Sequence, residues 1–285
     1  MDIAWLTYLL RSKSLSFANN RKNKKHSLST FYFNGKPLKY RAGTSDMAVI
    51  KEILLKKGSS CEYWLPDSFE PKTILDIGSN IGITSILFAK KFPESTIHSF
   101  EPLKDNFEIM YKNVSTYSNI HTHPYGLGDK NDQLTMYKSN DPDNFAAWSL
   151  YPQLKNIDES NSTIIDIREA KSEINSIGIK GFDLIKIDTE GAEYPIIKSM
   201  GSSFLKKTQL IVGELHGNYD YEIKHTSSDE VGQLSKAFNH MLKGLREKQY
   251  IQETFGKYVH PSIVADILSN PEKIQPGGTR SYQTV

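Results

Sequence analysis

Apolar and polar positions along this chain follow two periods. The first apolar run, Ile3 to Leu10, is broken by Thr7 and falls well short of the ~20 residues of a membrane-spanning helix. It predicts a short helix docked on the adjoining domain. Phe31-Tyr32-Phe33 and Leu38-Lys39-Tyr40 flank Asn34-Gly35, which favours positive φ, and so predict two strands joined by a turn. Ser45-Asp46 opens a helix in which Met47, Val49, Ile50, Ile53 and Leu54 keep helical spacing as far as Gly58.

Short apolar runs then alternate with helical stretches. Residues 73–77, 95–100, 120–125, 182–188 and 210–215 read as strands, while 83–92 and 107–114 read as helices. That alternation predicts an α/β fold, a parallel sheet with helices on both faces. From Thr226 the pattern changes. Ser228-Asp229-Glu230 resembles a helix start, and Val231, Leu234, Phe238, Met241 and Leu245 recur three and four apart. This predicts a C-terminal α-helical tail with a bundle-type seam, followed by a loop at Pro276-Gly277-Gly278.

Composition narrows the class little. The 285 residues suit one large domain or two, and 38% hydrophobic with 24% charged residues excludes collagen-like and wholly disordered chains. A net charge of +2 gives no global field for nucleic acid, so no nucleic-acid partner is expected. The lone Cys61 forms no internal disulfide, and no secretory pattern precedes the first apolar run, so a cytoplasmic protein is expected. Arg11, Lys13, Arg21, Lys22, Lys24 and Lys25 come after that run. They suit a peripheral membrane or nucleic-acid contact, or simply a solvated loop, which is the expectation.

The chemistry concentrates where the first α/β strand ends. Leu75-Asp76-Ile77-Gly78-Ser79-Asn80-Ile81-Gly82 passes from strand through a glycine turn into a helix, where backbone can approach a ligand closely. Neither the dinucleotide G-x-G-x-x-G nor a phosphate loop is present. Glu101 ends the second strand and is placed to accept hydrogen bonds from ribose hydroxyls. These residues resemble the S-adenosylmethionine (SAM) fingerprint of class I methyltransferases. Arg41-Ala42-Gly43-Thr44-Ser45-Asp46, Leu127-Gly128-Asp129 and Ile187-Asp188-Thr189-Glu190-Gly191-Ala192-Glu193 narrow the likeness to the FkbM family, over about residues 40–217.

That resemblance implies a Rossmann-like methyltransferase sheet and methyl transfer from SAM to a hydroxyl of a sugar, glycan or secondary metabolite. It implies that Asp76, Gly78, Asn80, Gly82 and Glu101 hold the cofactor, with Asp129 near the adenine. Removing the acceptor's proton needs a base. Asp188, Glu190 and Glu193 are the first candidates, Glu214 and His216 the second. Glu193 is as well explained by a solvent-facing helix position or a pairing with lysine. The carboxylates could hold a divalent cation, but no metal site is assigned. Trp148 and Tyr151 are candidates for lining the acceptor pocket.

The tail resembles other proteins. Residues 229–241 are similar to the second helix of a HAMP signalling domain, and 253–261 to the entry of class III adenylate cyclase domains. No cyclase activity is expected, because no metal-binding aspartates come after it, and the elements that normally complete the methyltransferase sheet are not evident. The expected organisation is an arm (1–40), a SAM-dependent methyltransferase domain (41–222), a HAMP-like segment (226–270) and a tail (271–285). The expected partners are a small-molecule or glycan acceptor and a second copy, in a weak homodimer through residues 228–247. The alternative function is a catalytically degenerate methyltransferase-like signalling module dimerising through that helix.

Overall fold

A computed structural model describes residues 3–139, 148–149 and 157–214. The chain divides into two compact units, Met1–Gly217 and Asn218–Val285, of which the second lies outside the described residues. His216, Tyr151, the seam at 228–247 and the cyclase-like segment lie outside them too.

Two helices, α1 (Ile3–Ser12) and α2 (Leu15–Asn20), lead into strands β1 (Leu28–Phe33) and β2 (Lys36–Arg41). The strands form the expected hairpin, with Phe33 opposite Lys36 and positive φ at both Asn34 and Gly35. Residues 3–40 pack on the domain, as expected for the first helix. Phe17 packs 4.8 Å from Phe31 and 5.1 Å from Tyr40, ring to ring, in a cluster that also holds Ile81, Ile86, Met110 and Val114. Asn113 ties the layers together: its Oδ1 accepts from Lys39 N–H, and its Nδ2 donates to the carbonyls of Lys39 and Ile81. The expected boundary after residue 40 therefore falls inside β2.

The predicted helix after Arg41 is shorter than its periodicity suggested. Helix α3 (Ser45–Ile50) passes into a π-helical turn, Lys51–Leu55. Its N-cap is Thr44, whose hydroxyl accepts from Asp46 N–H. Asp46 itself is fully buried and held by Arg41 through two bonds of 2.8 and 2.9 Å.

Next come β3 (Thr73–Ile77), α4 (Ile83–Lys91), β4 (Thr96–Phe100), α5 (Lys104–Val114) and β5 (Ile120–His123). Then β6 (Gly126–Gly128), β7 (Asp132–Ser139), β8 (Trp148–Ser149) and β9 (Ile157–Glu169) form a second sheet, ordered β6-β9-β7-β8. The chain continues through α6 (Ala170–Ser176), β10 (Leu184–Ile187), α7 (Glu193–Met200), α8 (Ser202–Leu205) and β11 (Leu210–Gly213). The central sheet is ordered β11-β10-β3-β4-β5 and its pairs are all parallel. Alternate residues serve opposite faces, as a period of two requires. Ile74, Ile97 and Leu184 pack with α4, while Leu75, Ile77, Ile185 and Ile187 pack with α6 and α7. Strand order reverses at β3, so the crevice at the carboxyl ends of β3, β4 and β10 is where a ligand belongs.

On the α6–α7 face, β4 and β5 stack histidines. His98 lies 5.0 Å from His121, and its Nδ1 is 3.1 Å from His123 Nε2. Burial, reinforced by neighbouring imidazoles, pushes His98 and His123 down to about 4 from 6.5. The unfolded chain then binds protons that the fold excludes, so stability falls as pH drops from 6.5 towards 4. In melting series across that range, wild type is expected to lose more stability on acidification than His98→Asn does. A slope unchanged in the variant would place the acid sensitivity elsewhere.

Candidate active site

Backbone geometry builds the site first. Gly78 (φ +78°) and Ser79 both donate their N–H to the Phe100 carbonyl, joining the ends of β3 and β4. A Cβ on Gly78 would stand 1.8 Å from the Asp188 carbonyl, so only glycine lets the ends of β3 and β10 meet. Asn80, also at positive φ, donates its N–H to Glu101 Oε2 at 2.8 Å. Leu103 N–H binds Glu101 Oε1 at 3.0 Å. Glu101 is 4% exposed, and burial, partly offset by these bonds, raises its pKa to about 7.

A cavity of about 280 Å³ opens over this frame. Gly78, Asn80, Phe100, Glu101 and Leu127 line it, and so do Glu62, Asp188, Glu190, Glu214 and Trp148. Among the described residues, the buried side-chain oxygen of Asn80 has no hydrogen-bond partner. With the glycine turn and a strand-end carboxylate beside it, this orphaned acceptor fits a nucleoside-bearing cofactor such as SAM.

The expected cofactor residues divide. Gly78, Asn80 and Glu101 line the cavity. Asp76 does not: it is fully buried on the α4 side of β3, where it accepts from Ser85 Oγ at 2.5 Å and lies 3.5 Å from Lys186 Nζ. Gly82 starts α4 at φ +84°, and a Cβ there would touch Met110 and Val114 at 3.0 Å, so it serves helix packing. Asp129 is exposed beyond β6, while its neighbours Gly126 and Leu127 reach the cavity.

The expected catalytic residues divide as well. Asp188 and Glu190 line the cavity, joined there by Glu214. Glu193 neither faces solvent nor lines it. At 1% exposure, its Oε1 accepts from Thr189 N–H, Thr189 Oγ and Gly191 N–H, which clamps the loop after β10. Among the described residues no group of histidine, cysteine and carboxylate side chains is arranged to hold a metal ion.

Three site residues were missed from sequence. Lys186, 2% exposed, donates to the Gly78 carbonyl at 2.7 Å and lies 3.7 Å from Asp188 Oδ2. Burial opposes its charge, but Asp76 and Asp188 outweigh that and raise its pKa. A lysine inside the apolar run Leu184–Ile187 was a legible sign, because a buried charge must be paired. Tyr63 donates to Asp188 Oδ2 at 3.3 Å, and burial followed by nearby carboxylates raises its pKa. Burial and then the charges of Glu214 and Asp188 raise the pKa of Glu62. Nothing local marked Glu62 or Tyr63, which reach Asp188 from far upstream in the chain.

The family model described as "Methyltransferase FkbM domain" matches residues 76–251, more than half of the chain and across part of the HAMP-like stretch. "Methyltransferase 1" of Beauveria bassiana is 28% identical over 182 residues, covering 58% of this chain and 71% of that protein. "2-O-methyltransferase NoeI" of Sinorhizobium fredii is 25% identical over 194 residues, covering 64% and 74%. Among solved structures, methyltransferase FkbM from Methylobacillus flagellatus is 16% identical with a TM-score of 0.33, covering 69% of this chain but only 43% of that one. Aeropyrum pernix fibrillarin with bound S-adenosyl-L-methionine is 14% identical with a TM-score of 0.36, covering 79% and 77%. The chain belongs to the FkbM family of methyltransferases, whose methyl donor is S-adenosylmethionine.

Proposed function

We propose that the enzyme methylates a hydroxyl oxygen of a sugar, glycan or secondary metabolite. The observation that carries this reading is one cavity shared by the nucleoside cradle of Asn80 and Glu101 and by the carboxylate of Asp188. Bound in that cradle, SAM supplies an electrophilic methyl group. Glu101 accepts from the ribose hydroxyls, and Asn80 Oδ1 offers a further acceptor. Asp188, oriented by Tyr63 and Lys186, accepts the proton of the acceptor hydroxyl. Glu62 and Glu214 stand beside it as further proton acceptors. Trp148 supplies an aromatic face against which a sugar ring can pack. The relative named as a 2-O-methyltransferase supports transfer to oxygen.

Calorimetry with SAM and S-adenosylhomocysteine tests the cradle directly. Glu101→Gln is expected to weaken SAM by roughly 1.5–3 kcal/mol, the range for hydrogen bonds to a charged group. Glutamine is the milder probe, since its amide oxygen still accepts from one of the N–H groups of Asn80 and Leu103, whereas Glu101→Ala would strand both and disturb the fold. The ionised carboxylate accepts ribose hydroxyls best, so SAM affinity should rise as pH passes upward through about 7 and then level off. The ligand-free fold responds oppositely: it holds the proton longer than the unfolded chain, so this contribution to stability is lost as pH rises from 4.5 through 7. An unchanged dissociation constant in Glu101→Gln would remove the ribose role.

A further inference from the structure

Charge is unevenly distributed along the chain. Residues 3–45 hold nine basic and no acidic side chains, whereas residues 46–214 hold 18 basic against 24 acidic. Arg41 is engaged by Asp46, and Lys36 lies over the Tyr117 ring. Arg11, Lys13, Lys24 and Lys25 are exposed. Exposed leucines accompany these cations. Leu10 at the end of α1 is 67% exposed, Leu15 at the start of α2 is 58% exposed, and Leu28 at the start of β1 is 52% exposed.

Leu10, Arg11, Lys13 and Leu15 lie within six consecutive residues around the turn between α1 and α2, so the chain itself holds them together. The turn is firmly presented. Phe17 and Ala18 are buried on the inner side of α2, Trp5 Nε1 donates to Asn19 Oδ1 at 2.9 Å, and Lys13 N–H closes on the Leu9 carbonyl at 2.8 Å. Leu15, Ser16 and Asn19 face outward. Helix α2 is only six residues long, about 9 Å. The cations at 24 and 25 come within about ten residues of Leu15 in the sequence, and the exposed Leu28 comes just after them.

We propose that the α1–α2 turn docks this enzyme onto an anionic lipid surface. Leu10 and Leu15 enter the boundary between headgroups and acyl chains, while Arg11, Lys13, Lys24 and Lys25 meet the lipid phosphates and carboxylates. Nucleic acid would use the cations but would leave two exposed leucines in water. Among the described residues no helix is long and apolar enough to cross a membrane.

Flotation of the full chain with vesicles of phosphatidylcholine, alone or with about a third phosphatidylserine, tests the proposal. Partitioning is expected to be at least ~10-fold stronger on the anionic vesicles and to fall as salt is raised. Leu10→Ser/Leu15→Ser should weaken it several-fold at unchanged charge, and Arg11→Glu/Lys13→Glu should remove the preference for phosphatidylserine. Both variants should keep wild-type SAM affinity, since these side chains lie outside the cavity. Equal partitioning on both vesicles overturns the proposal, as does a leucine variant that binds like wild type. So does binding to duplex DNA, or self-association through the same leucines, with no vesicle binding.

Discussion

Lys186→Met is expected to cost about 3–5 kcal/mol of folding stability, because it leaves the Asp76 carboxylate buried without its counter-charge. Asp76 has no exposed surface and, among the described residues, the Ser85 hydroxyl is the one hydrogen-bond donor to its carboxylate besides the nearby Lys186. Methionine matches the lysine in length, so the loss reports charge rather than a void. For a domain of this size the melting temperature should drop by roughly 10 °C or more. The same lysine holds the Gly78 carbonyl, so the nucleoside cradle should loosen and SAM affinity fall with it. Asp76→Asn/Lys186→Met should recover part of the stability, since an amide still accepts from Ser85 and carries no charge. A single variant as stable as wild type would mean that Asp76 takes up a proton at little cost.

Asp188→Asn should lower turnover on an identified acceptor by ~10²-fold or more while leaving SAM affinity within a few fold. An amide keeps the contact with Tyr63 but cannot take a proton at neutral pH. Lys186 retains Asp76 and the Gly78 carbonyl as partners, so the fold should persist. The loss should lie in kcat rather than in KM. Turnover close to wild type would move the base to Glu214 or Glu62, which line the same cavity.

Local sequence determined the parallel strands, the hairpin at Asn34-Gly35 and the glycine turn after Asp76, because each arises from short-range sterics or from the period of apolar residues. It also located Glu101 and Asp188, since a polar residue that ends a buried strand in an α/β sheet emerges where ligands bind. The second sheet escaped because β9 is mostly polar, reading Ile-Asp-Glu-Ser-Asn-Ser-Thr before its apolar end, and is held by pairing with β6 and β7. Tertiary structure alone decided what each carboxylate does. Asp76, Glu101, Asp188 and Glu193 are alike in a sequence. Folding gives Asp76 a buried lysine, Glu101 two backbone N–H groups beside an open cavity, and Asp188 a tyrosine hydroxyl from far upstream. It gives Glu193 the N–H groups of its own loop. A carboxylate's role depends on which donors reach its oxygens and how much water remains, and long-range packing sets both.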